Sequence, residues 1–250
     1  MRSEKGNQSG LTRREFMKAT GGTAAVPNIP GLKQAPYLTN ATIFNLTELP
    51  AHMGVIGAGP IGLELAQAFQ RFGSQVTVFS RSDKILPKED PDAAKIVANS
   101  LHRDGVTFAY NVPYKGVESR GGKAPVSMVI EDNQGERTLE FDALLVATGR
   151  KPTVKGLGLE GAGIEYDECM GVKVNDRMQT SDENIYAGGD CVETVQRVSG
   201  KPAYLPQGST ANKHGRVIGS NLAGLDECFP GVLGTMGVQA FDVNIGRTGL

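Results

Sequence analysis

Tryptophan is absent from this sequence, aromatic residues make up 6% of it, and cysteine occurs three times in 250 positions. Cys169, Cys191 and Cys228 form no C-x-x-C or C-x4-C pair, so neighbouring thiols cannot build a local redox disulfide or a zinc knuckle. They are expected to be free, buried thiols, and an odd number without a disulfide framework suits a reducing compartment. No metal site is assigned. No run approaches the roughly 20 apolar residues that cross a bilayer as a helix. An excess of charge is also lacking, with 26 basic residues against 27 acidic ones. That balance leaves no electrostatic footprint for nucleic acid or an anionic membrane as partner. What the sequence has in plenty is glycine, 33 residues, nearly twice the usual share of about 7% and without a collagen-like period. Many backbone positions must therefore turn sharply or approach something closely. The length suits one large domain or two small ones.

The first thirty residues support two readings. Thr12-Arg13-Arg14-Glu15-Phe16-Met17-Lys18 resembles a twin-arginine export motif. The apolar run behind it, Ala19 to Val26, is short, rich in Gly and Thr, and followed by Pro27 and Pro30, with no Ala-x-Ala cleavage site. A signal without its apolar region should not be translocated, so cytoplasmic residence is expected, with export as the alternative.

From residue 51 a nucleotide-binding pattern begins. Met53 to Ile56 is a short apolar run, and Gly57-Ala58-Gly59-Pro60-Ile61-Gly62 follows it. Ile61, Leu65 and Phe69, with Ala68 and Phe72 alongside, have helical spacing; Pro60 suits a first helical turn and Gly73 a helix end. Val76 to Phe79 reads as a second strand. In that context Gly57 permits the tight turn, Gly59 lets the backbone approach a pyrophosphate, and Gly62 lets the helix pack close to the strand. The pyrophosphate then meets the positive end of the helix.

The end of the second strand selects the coenzyme. A carboxylate there binds the ribose 2′-hydroxyl of NAD, whereas arginine accommodates the 2′-phosphate of NADP. The sequence has Ser80-Arg81-Ser82 and no carboxylate until Asp83, so NADP(H) is expected in preference to NAD(H). Otherwise Arg81 is a solvated surface charge. Asp90-Pro91 opens a helix with Ala94, Val97, Ala98 and Leu101, closed by Gly105, and Val106 to Phe108 is a strand. Val126–Ile130 and Thr138–Phe141 flank a polar turn, Asp132-Asn133-Gln134-Gly135, as a hairpin. Leu144 to Ala147 closes the domain as a buried strand.

Thr148-Gly149-Arg150-Lys151-Pro152, and Thr180 onward through Ile185-Tyr186-Ala187-Gly188-Gly189-Asp190, resemble the A-T-G-R-x-P and T-x-x-x-I-Y-A-x-G-D motifs of pyridine nucleotide–disulfide oxidoreductases. Ala19-Thr20-Gly21-Gly22 through Gly31-Leu32 is similar to that family's A-T-G strand end and linker. Residues 27–190 look most like mercuric reductase and dihydrolipoamide dehydrogenase. Gly200–Arg216 and Gly231–Thr235 look more like coenzyme A-disulfide reductase and NADH oxidase. The resemblance implies an α/β fold in which a Rossmann-like, doubly wound NAD(P)-binding domain is inserted in a partial FAD-binding domain. It implies residues 1–18 as an extension, 19–50 as flavin-domain remnant and linker, and 51–148 as the NAD(P)H domain. Residues 149–225 then complete the flavin domain and 226–250 begin a truncated dimerisation domain.

By the same resemblance, NADPH reduces FAD, which passes electrons to an unidentified acceptor. Asp190 holds the FAD ribityl chain, Gly189 admits the backbone closely, Glu64 lies near the nicotinamide, and Gly149 and Arg150 adjoin the cofactor. A helix from about Ser209 to Leu222 points its positive end at the flavin. Family members are homodimers. The departures are plain: no second G-x-G-x-x-G for FAD, no C-x4-C redox pair, and no catalytic residue assigned. His52, His102 and His214 are expected to be surface or packing residues. The alternative function is a non-catalytic NAD(P)H-binding module.

Overall fold

The computed structural model describes residues 21–119, 121, 125–132 and 135–249. The twin-arginine stretch 12–18, Ala19, Thr20 and the hairpin-turn residues Asn133 and Gln134 lie outside them. In chain order the first strands are β1 (Gly22–Ala24), β2 (His52–Ile56), β3 (Gln75–Phe79), β4 (Thr107–Ala109) and β5 (Tyr114–Ser119). Next come β6 (Val126–Asp132), β7 (Gly135–Phe141), β8 (Ala143–Val146) and β9 (Arg150–Pro152). The remainder are β10 (Tyr166–Asp167), β11 (Gly171–Val172), β12 (Thr194–Val195), β13 (Pro202–Ala203), β14 (Met236–Ala240) and β15 (Val243–Arg247). The helices are α1 (Pro60–Phe72), α2 (Pro91–Arg103) and α3 (Gly208–Leu222).

The described residues form two compact units, one within 24–149 and 235–248, the other of 21–23, 150–234 and 249. In the first unit, β2, β3, β4 and β8 make a four-stranded sheet in the order β4-β3-β2-β8, and all its pairs are parallel. Such a sheet is buried on both faces, and the side chains sort by the two-residue period of a strand. Met53, Val55, Val76, Val78 and Leu145 face α1 and α2. Ile56, Phe79, Leu144 and Val146 face the antiparallel sheet β5-β6-β7 and the segment carrying Ile29 and Leu32.

Of the expected helices, the first two form for the expected local reasons. Asp90 caps α2 by accepting from the Asp92 amide, Pro91 opens it, and Ala94, Val97 and Leu101 are buried. Gly73 ends α1 with φ of 113°, a left-handed conformation that glycine adopts without a steric cost. The buried stripe of α1 is Gly62, Leu63, Ala66 and Gln67. Leu65 and Phe69 flank the core, whereas Phe72 stays 69% exposed; a thirteen-residue helix on one sheet has a single dry face, and the apolar spacing marked its edge.

Two segments pack otherwise than the sequence division 19–50 and 226–250. Residues 24–50 group with the nucleotide unit: Leu38 bridges to Leu145 at the sheet edge, and Ile43 enters the core beside the helices. Likewise the β14–β15 hairpin buries Val238 and Ala240 in that core. Arg247 Nε sits 3.1 Å from buried Glu89, and Arg71 lies over the Phe241 ring.

The second unit is loop-rich. Its ladders are the pairs β1-β9, β10-β11 and β12-β13, and its core collects Val154, Ile164, Val172, Met178, Cys191, Val192, Phe229 and Val232, against which Val217 and Ile218 of α3 pack. All three cysteines are free, but only Cys191 is buried; Cys169 and Cys228 are exposed. Cys169 follows a turn in which the Asp167 carboxylate accepts from the Cys169 and Met170 amides, and that places its side chain outward. No described helix is long and apolar enough to cross a membrane, and no described group of His, Cys, Asp and Glu is placed to hold a metal ion.

Candidate functional site

With the strands numbered by their order in the sheet's own chain sequence, β4-β3-β2-β8 is the order 3-2-1-4. The chain therefore turns to opposite sides after β2, and the crevice at the carboxyl ends of β2 and β8 is where parallel α/β sheets bind ligands. Gly57 to Gly62 lies there. Gly57 has φ of 113°, and a Cβ on it would stand 2.5 Å from the Ala147 carbonyl oxygen. Its amide donates to Phe79 O at 3.0 Å, and the Ala147 amide donates to Ile56 O at 2.8 Å. Gly62 sits beneath the same turn, where a Cβ would meet Gly57 O at 2.2 Å. Around Gly59, by contrast, a Cβ would find nothing within 4 Å.

That open side is where the helix begins. Gly59 is the N-cap and provides no side-chain cap, and Pro60, the first helical residue, has no N–H. The amides of Ile61 and Gly62 belong to the first turn, whose donors have no acceptor within the helix. A ligand oxygen at this point meets main-chain donors and the positive end of the helix dipole, with no side chain in between. The residues fit a diphosphate.

Beside the glycine loop, the segment after β3 is tied down by Leu86, whose amide donates to Ala58 O at 2.9 Å. Ser80 is buried, and its hydroxyl donates to Lys84 O at 3.0 Å; the Ser82 hydroxyl donates to the same carbonyl at 2.8 Å. Both protons thus shape the loop, and of the three residues Arg81, exposed, presents its donors outward. Burial pushes the phenol of Tyr114 up to about 12, and the Arg81 charge acts in the opposite direction. Glu64, one turn into α1, is exposed. Surrounding atoms raise its carboxyl above the ordinary range, and the Gln239 amide that donates to it acts in the opposite direction. Gly149, with φ of 125°, accepts the Ala25 amide at 2.9 Å.

The second unit gathers the other motif residues. Arg150 Nη2 donates to Gly22 O at 2.6 Å and to Asp190 Oδ2 at 3.2 Å. The Tyr204 hydroxyl donates to Asp190 O at 3.0 Å, and its phenol is raised to about 12, first by burial and then by the Asp190 charge. Gly189, with φ of 85°, stands beside the first turns of α3, where a Cβ would lie 3.7 Å from Ala211. Arg150 Nε is buried with no partner among the described residues. An orphaned donor next to a partly open carboxylate suits a hydroxylated chain such as a ribityl group, so these residues fit that part of FAD.

Two members of this cluster, Tyr204 and His214, escaped sequence reading as site residues, and Gly22 was read only within a strand-end resemblance. Gly22 is small because a Cβ there would stand 2.9 Å from Tyr204 Oη and 3.1 Å from Arg150. Tyr204 carries no motif. His214, assigned as surface or packing, is 1% exposed and accepts the Gly189 amide at Nδ1, 3.1 Å away. The spacing Thr210–His214, both buried, was the available signal. His52 and His102 remain exposed; His52 lies 3.7 Å from Asp142, and His102 packs edge-on against Phe108.

Comparison with known proteins places these features in a lineage. The family model for pyridine nucleotide-disulphide oxidoreductases matches residues 2–212. A mercuric reductase of Staphylococcus aureus is 39% identical over 184 residues, 74% of this chain and 33% of that protein. A NAD-dependent persulfide reductase from A. fulgidus superposes with a TM-score of 0.82 at 36% identity, covering 92% of this chain and 43% of that one. A water-forming NADPH oxidase engineered from a Lactobacillus brevis NADH oxidase superposes with a TM-score of 0.79 at 25% identity, covering 92% and 51%. The chain thus spans a third to a half of the length of these proteins. The α/β fold with a Rossmann-type parallel sheet, the glycine loop at its switch point and the Gly189–Asp190 turn agree with this match along the chain, which belongs to the pyridine nucleotide-disulphide oxidoreductase family.

Proposed function

We propose that this chain is the nucleotide-binding part of an NAD(P)H-dependent flavoprotein oxidoreductase. It binds the reduced dinucleotide at Gly57–Gly62 and delivers a hydride to FAD for an acceptor that is not identified. The observation that carries this reading is the uncapped first turn of α1, opening beside Gly59 at the carboxyl end of β2. Bound FAD supplies the ring that accepts two electrons from a nicotinamide and hands them on. The chain's own residues do the rest. Gly57, Gly59 and Gly62 with the Ile61 amide hold the diphosphate, and Glu64 lies on the same helix toward the nicotinamide. Asp190 accepts from ribityl hydroxyls while Arg150 and Gly189 shape its surroundings. The α3 terminus beside Gly189 favours negative charge.

NADPH is the preferred donor in this reading. Arg81 offers a guanidinium fork for the 2′-phosphate, and no carboxylate stands at Ser80, Arg81 or Ser82. The engineered oxidase bound to NADPH carries three consecutive substitutions that put Ala-Arg-Ser in place of Asp-Ala-Met, while its parent is bound to NADH. The run Ser80-Arg81-Ser82 has the same Arg-Ser pair. Cytoplasmic residence and homodimerisation belong to the same reading.

The test is an anaerobic titration with NADPH and then NADH, recorded in the visible after incubation with FAD. Yellow protein that bleaches at lower NADPH than NADH is expected. Protein that stays colourless and takes up no FAD would overturn the flavin part. A second reading, nucleotide binding without turnover, is favoured by the Arg150–Asp190 ion pair, which already engages the carboxylate meant for the ribityl chain. It requires NADPH fluorescence to change on binding with no oxidation of NADPH.

A further inference from the structure

Consecutive residues Gly189 and Asp190 are held by side chains from separated stretches of the chain. Arg150 pairs with the Asp190 carboxylate and Tyr204 donates to its carbonyl. The remaining restraint, on the Gly189 amide, comes from α3. His214 Nδ1 is 3.1 Å from that nitrogen. A main-chain amide can only donate, so Nδ1 must be the lone-pair nitrogen and the proton must lie on Nε2. Nε2 is buried and has no partner among the described residues. The Phe229 ring stands perpendicular to the imidazole at 4.4 Å between centroids.

An imidazole is a poor choice for merely filling such a space. An apolar side chain of similar size would pack there without leaving a buried donor unsatisfied, which costs stability. The compensation visible in the structure is the acceptor at Nδ1. The room is provided as well. A Cβ on Gly188 would stand 3.0 Å from His214 Cβ and 2.8 Å from Ile218 Cδ1, and Gly188 does not have the positive φ that would call for glycine on backbone grounds.

We infer that His214 is the positioning residue of the Gly189–Asp190 turn, its Nδ1 fixing the Gly189 amide from α3 in the space that Gly188 leaves. The turn is thereby set before any ligand arrives, and the helix whose terminus stands beside it is coupled to it. Burial holds the imidazole down to about 4, so the neutral acceptor form prevails at neutral pH. The functional consequence, a flavin site assembled in advance, rests on the proposed function; the hydrogen bond itself does not.

The experiment uses the full chain labelled with nitrogen-15, with His214→Gln and His214→Leu beside it. In the parent protein a scalar coupling across the N–H···N bond should join Gly189 to His214 Nδ1, with the imidazole protonated at Nε2. Leu has no acceptor, so H214L should speed exchange of the Gly189 amide about tenfold beyond any change in globally protected amides. Gln offers an oxygen acceptor, and H214Q should restore exchange to within about threefold of the parent. FAD affinity should follow the same order, about tenfold weaker in H214L and recovered in H214Q. An Nδ1-protonated ring without the coupling, or H214L exchanging Gly189 at the parent rate, overturns the inference. If H214L does not fold, the coupling and protonation state in the parent still decide it. Parent protein that takes up no FAD overturns the flavin reading, while coupling and exchange continue to decide the role of His214.

Discussion

Gly62 lies under the carbonyl of Gly57, so near that a Cβ on it would stand 2.2 Å from the oxygen. Gly59, between them in sequence, faces open space. In the proposed function the two glycines answer to different demands, one to the protein's own packing and the other to a ligand.

Substitution should separate those demands. Gly62→Ala forces the helix off the turn, and both thermal stability and NADPH binding should fall, the latter at least about tenfold. Gly59→Ala adds a methyl group that touches nothing in the protein, and its φ of −85° suits any residue. An N-cap change of this kind costs at most about 1 kcal/mol. On the proposed function the methyl group stands where the diphosphate approaches, so affinity should drop with little change in melting temperature. Thermal melts beside NADPH fluorescence titrations check both. Unchanged NADPH affinity in G59A would remove the diphosphate from this loop.

In the proposed function Arg81 carries the choice of coenzyme. It is exposed, so Arg81→Ala should leave the melting temperature within about 1 °C, since exposed substitutions seldom move stability. NADPH binding should weaken about tenfold or more through loss of a charge-assisted contact, with NADH binding nearly unaltered. Parallel titrations with the two coenzymes measure the ratio. An equal loss for both would assign Arg81 a general electrostatic effect.

Asp104 joins the two helices of the nucleotide unit. Its carboxylate accepts from Gln67 Nε2 at 2.6 Å and from Arg71 Nε at 2.8 Å, and the Arg71 hydrogen bond, aided by Gln67, holds its pKa below the usual value. Gln67 is fully buried. Asp104→Ala leaves that amide without its acceptor, and a loss of roughly 1–3 kcal/mol is expected by urea denaturation. Gln67→Leu should recover part of the loss in the double variant.

His214 gives the second unit an acid dependence of definite sign. Its folded pKa is depressed to about 4 by burial, against an unfolded value near 6.5. The stabilisation is therefore complete above about pH 6.5, declines as pH falls, and is gone below about pH 4, a difference of roughly 3 kcal/mol. Gly189 and Phe229, which meet its ring, and Gly188, beside its Cβ, do not titrate. Unfolding measured at pH 7, 5.5 and 4.5 should fall more steeply in the parent than in H214Q. Parallel curves would place His214 in contact with water.

The nucleotide fold was largely legible in the sequence because its signals are local. Gly57 and Gly73 mark backbone conformations with positive φ, Asp90-Pro91 marks a capped helix start, and the apolar runs of β2, β3 and β8 read as buried parallel strands. Local signals stop where packing partners are distant. Phe72 shares the apolar spacing of Leu65 and Phe69 yet remains outside the core. The residues Val238 and Ala240 join α1 and α2 across more than 130 positions of sequence, and nothing near them in the chain announces that partner.

The candidate site divides in the same way. Sequence by itself determined the glycine loop and the Ser80-Arg81-Ser82 run, whose spacing after strands carries their chemistry, and it located the Gly189–Asp190 turn through resemblance to a family motif. Only the tertiary structure decided that the Ser80 and Ser82 protons shape their own loop, and that Gly22, Arg150, Tyr204 and His214 close around Asp190. A hydrogen bond requires two atoms about 3 Å apart, and residues 22, 150, 190 and 214 reach that distance only when the folded chain has brought them together.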